Sequence, residues 1–133
     1  MTLWLLDTNA VSDIIHDGRG RVRRRIQAVG IANACTSIVV ACELRYGAQK
    51  RGSARLTERI EAVLQDFDVH PLTEDSDRHY ARLRCDLERG GSPIGYHDML
   101  IAAHALALDA TLVTANTREF ARIDGLRLEN WLR

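Results

Sequence analysis

Residues 3–9 read LWLLDTN, a short apolar run that ends in an aspartate and is followed by two small polar residues. An apolar run of this length, closed by a polar turn, is typical of a buried strand in a parallel sheet. Thr8 or Asn9 is expected to cap the helix that follows, because short polar side chains accept hydrogen bonds from free backbone N–H groups. The stretch therefore predicts a strand–helix unit with Asp7 at its junction.

The alternation of strands and helices continues along the whole chain. Further strands are predicted at residues 34–40, 69–72, 111–114 and 126–128, and further helices at 21–29, 56–67, 75–89 and 97–108. Such alternation favours right-handed crossovers and a parallel sheet covered by helices on both faces. We therefore expect an α/β fold, a three-layer α/β/α domain with a mainly parallel central sheet of about five strands. Residues 1–133 are expected to form a single domain.

The composition is that of a small globular protein. The chain has 133 residues, 46% of them hydrophobic, and 18 basic against 18 acidic residues. We expect no membrane segment and no signal peptide, and hence a cytoplasmic protein. The balanced charge argues against a generally basic nucleic-acid binder, although five arginines fall within residues 19–25. The three cysteines lack metal-ligand spacing and are expected to be reduced and buried.

Acidic and amide side chains follow the predicted strands. Asp7 ends the first strand, Glu43 lies in the helix after the second, and Asp98 lies in the first turn of the most apolar helix. Asn116 and Glu119 follow the strand at 111–114. Ligands of open α/β sheets bind beyond the carboxyl ends of the strands, so we expect these side chains to meet at one edge.

A cluster of this kind favours a divalent cation. Two carboxylates about 5 Å apart repel each other by roughly 3 kcal/mol at an effective dielectric constant near 20. Mg²⁺ or Mn²⁺ prefers oxygen ligands and offsets that repulsion. The chemistry that follows is metal-assisted hydrolysis of a phosphodiester.

Each of these residues also has a structural explanation. Asp7 could simply cap a helix, and Asp98 could complement a helix dipole. Glu43 lies among apolar residues and could pair with Arg45 or Arg84. The hypothesis of a metal site therefore depends on the joint arrangement of the carboxylates.

Segments spread over nearly the whole chain resemble VapC toxins, which are ribonucleases of the PIN-domain family. They are residues 5–9 (LLDTN), 43–48 (ELRYGA), 94–98 (IGYHD), 100–105 (LIAAHA), 112–114 (LVT), 116–120 (NTREF) and 125–131 (GLRLENW). The resemblance implies a PIN-like fold and a Mg²⁺- or Mn²⁺-dependent endoribonuclease, the toxin of a type II toxin–antitoxin system. Its implied substrate is structured RNA, commonly transfer RNA.

The same resemblance implies roles for individual residues. Asp7, Glu43 and Asp98 correspond to the metal-holding acidic triad, and Glu119, included in the catalytic set, matches an acidic position of related toxins. Whether Glu119 or Asn116 completes the site is left open. The implied supporting or substrate contacts are Thr8, Asn9, Ser37 and Asn116. Many PIN domains have an aspartate where this chain has Asn116, so the choice between one and two metal ions stays open.

The resemblance also implies protein partners. A VapC toxin is expected to form a homodimer and to bind a small VapB-like antitoxin that blocks the site in a larger assembly. The basic patch of residues 19–25 could bind RNA phosphate. A solvated helix face is an equally good explanation of that patch.

Two other functions are compatible with parts of the sequence. The first is a catalytically weakened PIN domain that acts as an RNA- or antitoxin-binding module, which the Asn116 position favours. The second is a haloacid-dehalogenase-like phosphohydrolase with Asp7 as its covalent nucleophile. That class requires a second aspartate where Asn9 stands and a downstream lysine, whereas the only lysine is Lys50.

Overall fold

A five-stranded sheet runs through the centre of the computed structural model, which describes residues 2–73 and 75–132. All neighbouring strands are parallel, in the order β3-β2-β1-β4-β5. The strands are β1 (Trp4–Leu6), β2 (Ala34–Ser37), β3 (Asp68–His70), β4 (Thr111–Val113) and β5 (Leu128–Glu129). The predicted parallel sheet of about five strands is confirmed.

Helices cover both faces of this sheet and complete the three layers. They are α1 (Thr8–His16), α2 (Arg21–Val29), α3 (Ile38–Arg51), α4 (Ala54–Gln65), α5 (Ser76–Arg89), α6 (Tyr96–Ala107) and α7 (Thr117–Phe120), with a 3₁₀ turn at Ile31–Asn33. In the part of the chain that the structure describes, no helix has the length and apolar character needed to cross a bilayer.

The core is built from the central strand and the most apolar helix. Leu5 pairs in register with Cys35 of β2 and Leu112 of β4, and all three side chains are almost fully buried. A strand buried on both faces needs helices on both sides, which explains its continuous apolar run. On α6, Ile101 and Ala102 are also buried. This packing fixes the edge of the sheet at which β1, β2 and β4 end.

The predicted strand at residues 34–40 is wrong at its C-terminal end. The strand ends at Ser37, whose Oγ accepts a hydrogen bond from the Val39 N–H at 3.1 Å and caps α3. Val39 and Val40 are buried as the inner face of that helix. A short apolar run does not distinguish a buried strand from a buried helix by periodicity. The last strand likewise lies at Leu128–Glu129 instead of 126–128.

The expected burial of all three cysteines is also wrong. Cys35 is buried within β2, but Cys42 on α3 and Cys85 on α5 are exposed. Both exposed residues lie on the sides of their helices that face solvent, which the position of a single cysteine in the sequence does not reveal. All three are free thiols.

Candidate functional site

The functional residues expected from the sequence gather at the carboxyl edge of the sheet. Asp7 directly follows β1, Ser37 ends β2 and Thr114 directly follows β4. Helices α3 and α6 bring Glu43 and Asp98 to the same region. The charge of Glu43 raises the pKa of Asp98, and the charge of Asp98 raises the pKa of Asp7.

Asp7 is held rigidly at the junction of β1 and α1. Its Oδ1 accepts a hydrogen bond from the Ala10 N–H at 3.0 Å, and its own N–H donates to the Val113 carbonyl at 3.0 Å. The prediction that Thr8 or Asn9 caps α1 is therefore wrong, since the extended backbone at Asp7 makes that residue the cap. Capping and a role in chemistry are compatible, because a carboxylate has a second oxygen.

The environment of Asp7 disfavours its charged form. The side chain is only 4% exposed. Burial raises the pKa of Asp7 to about 6, and the negative charge of Asp98 adds to this rise. Hydrogen bonds from Thr114 and from the Ala10 backbone act in the opposite direction without cancelling it. The site thus contains a buried carboxylate that gains from a nearby positive charge.

Glu43 is oriented by residues from two other helices. The Thr8 hydroxyl donates a hydrogen bond to Glu43 Oε2 at 2.8 Å. The Nδ1 atom of His97 lies 3.5 Å from Glu43 Oε1, and the His97 side chain is 72% exposed. The first turn of α1 and the start of α6 therefore both contact the Glu43 carboxylate.

The structural ion pair considered for Glu43 does not form. Arg45 binds Glu61 through two hydrogen bonds of 2.8 and 2.9 Å. Arg84 lies 3.6 Å from Glu88 on its own helix. Within the described residues, Glu43 thus has no arginine or lysine partner.

Asp98 connects the acidic residues electrostatically. It is half-buried in the first turn of α6. Burial raises its pKa, and the negative charges of Glu43 and then Glu119 raise it further, while His97 lowers it. Carboxylates from four separate segments therefore act on one another at this edge. Among residues 2–73 and 75–132, no group of three Asp, Glu, His or Cys side chains lies close enough together to hold a metal ion without rearrangement.

The amide side chains are less closely connected to this group. Asn116 and Asn9 are both exposed. The Asn116 backbone N–H donates to Thr114 Oγ1 at 2.9 Å, but its side chain does not cap α7. Among the hydrogen bonds of the described residues, neither amide side chain reaches an acidic residue. Their expected role as substrate contacts stays a prediction.

Ser37 contacts a residue that the sequence analysis did not single out. The Ser37 Oγ lies 2.7 Å from Nδ1 of His104, which is fully buried on α6. Burial lowers the pKa of His104, and nearby His70 lowers it further, so the imidazole is kept neutral. Ser37 and His104 thereby join α3 to α6, the two helices that carry Glu43 and Asp98. A histidine inside an apolar helix was the available signal, since buried polar groups need partners.

Comparison with known proteins agrees with this geometry. The sequence profile of the PIN domain matches residues 4–126. The chain therefore belongs to the PIN-domain family. The expected PIN-like α/β/α fold is confirmed, and the haloacid-dehalogenase-like alternative is wrong.

Within that family, the similar proteins are VapC ribonucleases. The chain is 37% identical to the tRNA(fMet)-specific endonuclease VapC of Shigella flexneri, over 98% of this chain and 99% of that protein. It is 36% identical to ribonuclease VapC2 of Rickettsia felis, over 97% and 98% of the two chains. The resemblance to VapC toxins is confirmed.

Solved structures give the same result. The chain matches VapBC2 from Rickettsia felis bound to a promoter DNA fragment with a TM-score of 0.89 and 32% identity, covering 98% of this chain and 99% of that one. It matches DNA-bound VapBC from Salmonella typhimurium with a TM-score of 0.88 and 32% identity, with the same coverage.

Proposed function

We propose that this chain is a divalent-metal-dependent endoribonuclease and the toxin of a type II toxin–antitoxin pair. The observation that carries the proposal is the group of carboxylates at the edge of the sheet, Asp7, Glu43, Asp98 and Glu119. Burial raises the pKa of both Asp7 and Asp98, and the negative charge of neighbouring carboxylates raises each pKa further. No arginine or lysine of the described residues forms an ion pair with any of the four.

The donor set fits Mg²⁺ or Mn²⁺. All four groups are hard oxygen donors, and their uncompensated charge favours a cation. Mg²⁺ is commonly held by one or two carboxylates together with water and substrate phosphate, so a closed cage of protein ligands is not required. We assign Asp7, Glu43 and Asp98 as the residues that would hold the ion. When bound, such an ion activates water and stabilises charge on a scissile phosphodiester.

The chain's own residues prepare this site. The Thr8 hydroxyl orients the Glu43 carboxylate, and the Ala10 N–H fixes one oxygen of Asp7. Hydrogen bonds that orient a ligand increase its affinity for the metal. Glu119 lies on the short helix α7, is exposed and completes the acidic set from the side of β4.

We propose transfer RNA as the substrate and a VapB-like antitoxin as the partner. Relatives that align over almost the full chain are tRNA(fMet)-specific endonucleases. Solved neighbours are VapBC complexes, some of them bound to DNA. A homodimer within a larger complex with the antitoxin, and a cytoplasmic location where tRNA is available, belong to the same proposal.

The proposal is tested by cleavage of tRNA with purified protein in Mg²⁺ or Mn²⁺. Asp98→Asn should reduce cleavage by at least about 100-fold, because a metal-held carboxylate supports several kcal/mol of transition-state stabilisation. The matched control is Asp77→Asn, which removes an exposed carboxylate on α5. Equal cleavage by wild type and Asp98→Asn would refute the proposal, and tRNA binding by wild type without cleavage would favour the binding-module alternative.

A further inference from the structure

Three arginines surround a depression at the turn between α3 and α4. Arg51 ends α3, and Arg55 and Arg59 lie one turn apart on α4. With Ser53 and Leu56 they line a surface hollow of about 510 Å³. All three arginines are exposed, and none forms an ion pair with a carboxylate in the described part of the chain. The nearest acidic residue in sequence is the exposed Glu58, three positions after Arg55 on α4, and within the described residues it forms no ion pair with these arginines.

A second hollow adjoins this depression and reaches Glu43, one of the carboxylates of the candidate site. Together the two hollows form a groove. The second hollow, of about 220 Å³, shares Arg51 and Leu56 with the first. It is also lined by Thr8 and Glu43, together with apolar side chains such as Ile15, Leu44 and Ile60. Glu43 and Arg51 are eight residues apart on α3 and therefore lie on the same face of the helix. At a rise of 1.5 Å per residue, their backbones are about 12 Å apart along the helix axis.

Gly47 lies between these two residues and keeps the groove open. It lines the same hollow, four residues after Glu43 and four before Arg51. A glycine inside a helix is less favourable than alanine. A Cβ atom at Gly47 would meet no neighbouring atom within 4 Å, so packing within the chain does not require glycine here. The missing side chain instead leaves free space between the carboxylates and the arginines.

We propose that Arg51, Arg55 and Arg59 bind backbone phosphates of the RNA strand that leads away from the scissile bond, past Gly47. The inference rests on the proposed nuclease function. Guanidinium groups bind phosphate oxygens through paired hydrogen bonds. RNA is favoured over an acidic protein segment because the groove runs from Glu43 to the arginines, and under the proposed function a strand cut beside Glu43 continues away from it.

The basic patch of residues 19–25 is partly engaged inside the protein. Arg23 lies 3.9 Å from Asp66. Arg25 lies 3.1 Å from Glu129 and stacks 5.4 Å from the centre of the Trp131 ring. The remaining arginines of that patch, Arg19, Arg21 and Arg24, are exposed and could themselves bind phosphate, so they do not serve as a control. The control uses Arg78, Arg82 and Arg122, which are also exposed and form no ion pair with a carboxylate of the described residues.

The test compares the triple variant R51Q/R55Q/R59Q with the control R78Q/R82Q/R122Q. Each phosphate contact to a single strand contributes an exponent of about 0.7 to the salt dependence, so three contacts contribute about 2.1. The binding constant varies as the salt concentration raised to the negative of this exponent. Loss of the three contacts should therefore weaken tRNA binding by the first variant about 50-fold at 0.15 M salt. Its KM should rise with kcat unchanged, because binding that is equal in ground and transition states is lost. The control should match wild type.

A second variant and a second readout separate this inference from the nuclease proposal. Gly47→Gln should raise KM by obstructing the groove, while Gly47→Ala should have little effect. Binding of tRNA to Asp98→Asn protein, with and without the triple arginine change, needs no cleavage and reports the phosphate contacts alone. Thermal unfolding checks that each variant is folded.

Three outcomes would overturn the inference. The first is unchanged tRNA binding in the triple variant. The second is an equal loss in the control, which would indicate a general effect of charge. The third is normal cleavage combined with lost inhibition by the antitoxin, which would assign the arginines to an acidic protein segment.

Discussion

The two sides of the candidate site are built in different ways. Asp7 is 4% exposed and is held by its hydrogen bonds with Ala10 and Val113 at the end of the central strand. Glu119 lies on a four-residue helix and is exposed. The fold therefore determines the position of one carboxylate, whereas the other can adjust to a bound ion or substrate. We therefore expect cleavage and stability to be sensitive to any substitution of the buried Asp7 and to tolerate substitution of the exposed Glu119.

The largest effect is expected at Asp7. Asp7→Asn and Asp7→Ala should both reduce tRNA cleavage by at least about 100-fold, because each removes the buried charge that would hold the metal. Asparagine still caps a helix, whereas alanine does not, so Asp7→Ala should be about 1 kcal/mol less stable than Asp7→Asn. Cleavage rates and urea unfolding measure the two effects. Substantial activity in Asp7→Asn would show that this residue is only a cap.

The buried side should also produce a pH dependence of stability. The pKa of Asp7 is about 6 in the folded protein against an ordinary value of 3.8. Between these values the folded state holds a proton that the unfolded state has released, so the free energy of unfolding falls as pH rises. At 1.36 kcal/mol per pKa unit the fall is about 3 kcal/mol.

Urea unfolding of metal-free protein between pH 4 and 7.5 measures this effect. The free energy of unfolding of wild type relative to Asp7→Asn should decrease through the window and level off above about pH 7, where Asp7 is ionised in both states. The burial of Asp7 would have no energetic consequence if the difference between the two proteins were independent of pH. Added Mg²⁺ or Mn²⁺ should raise the melting temperature of wild type, since a ligand stabilises the state that binds it.

The smallest effect is expected on the exposed side. Glu119→Gln should lower cleavage by only about three- to tenfold, because an exposed carboxylate contributes less to a site that solvent screens. Its stability should stay within about 0.5 kcal/mol of wild type. A loss as large as that of Asp98→Asn would contradict the proposed contrast between the two sides.

Local signals in the sequence predicted much of the fold. The bounds of α2 agree with the prediction because Gly20 and Gly30 flank a short amphipathic segment. The end of β2 could not be predicted, since Val39 and Val40 are apolar and buried whether they form a strand or a helix. Its true end depends on the capping hydroxyl of Ser37, which is bound to a residue on a distant helix.

The candidate site was predictable as a set of segments but not as a set of contacts. The positions of Asp7, Glu43 and Asp98 follow from the rule that parallel strands place their carboxyl ends at one edge. The partner of Glu43 did not follow from its neighbours, because Arg45 is bound by Glu61 on α4. Such pairings depend on how helices pack, and one sequence does not encode them locally.

The strand order has a consequence for the synthesis of this protein. β1 lies between β2 and β4, and the Asp7 backbone is held by the Val113 carbonyl. A ribosome therefore completes most of the chain before the first strand has both neighbours, and contacts so distant in sequence form slowly. A nascent chain that has emerged only to the end of α5 contains Asp7 and Glu43 but lacks Asp98. Under the proposed function, the nuclease stays inert towards the translation machinery until its own translation is nearly finished.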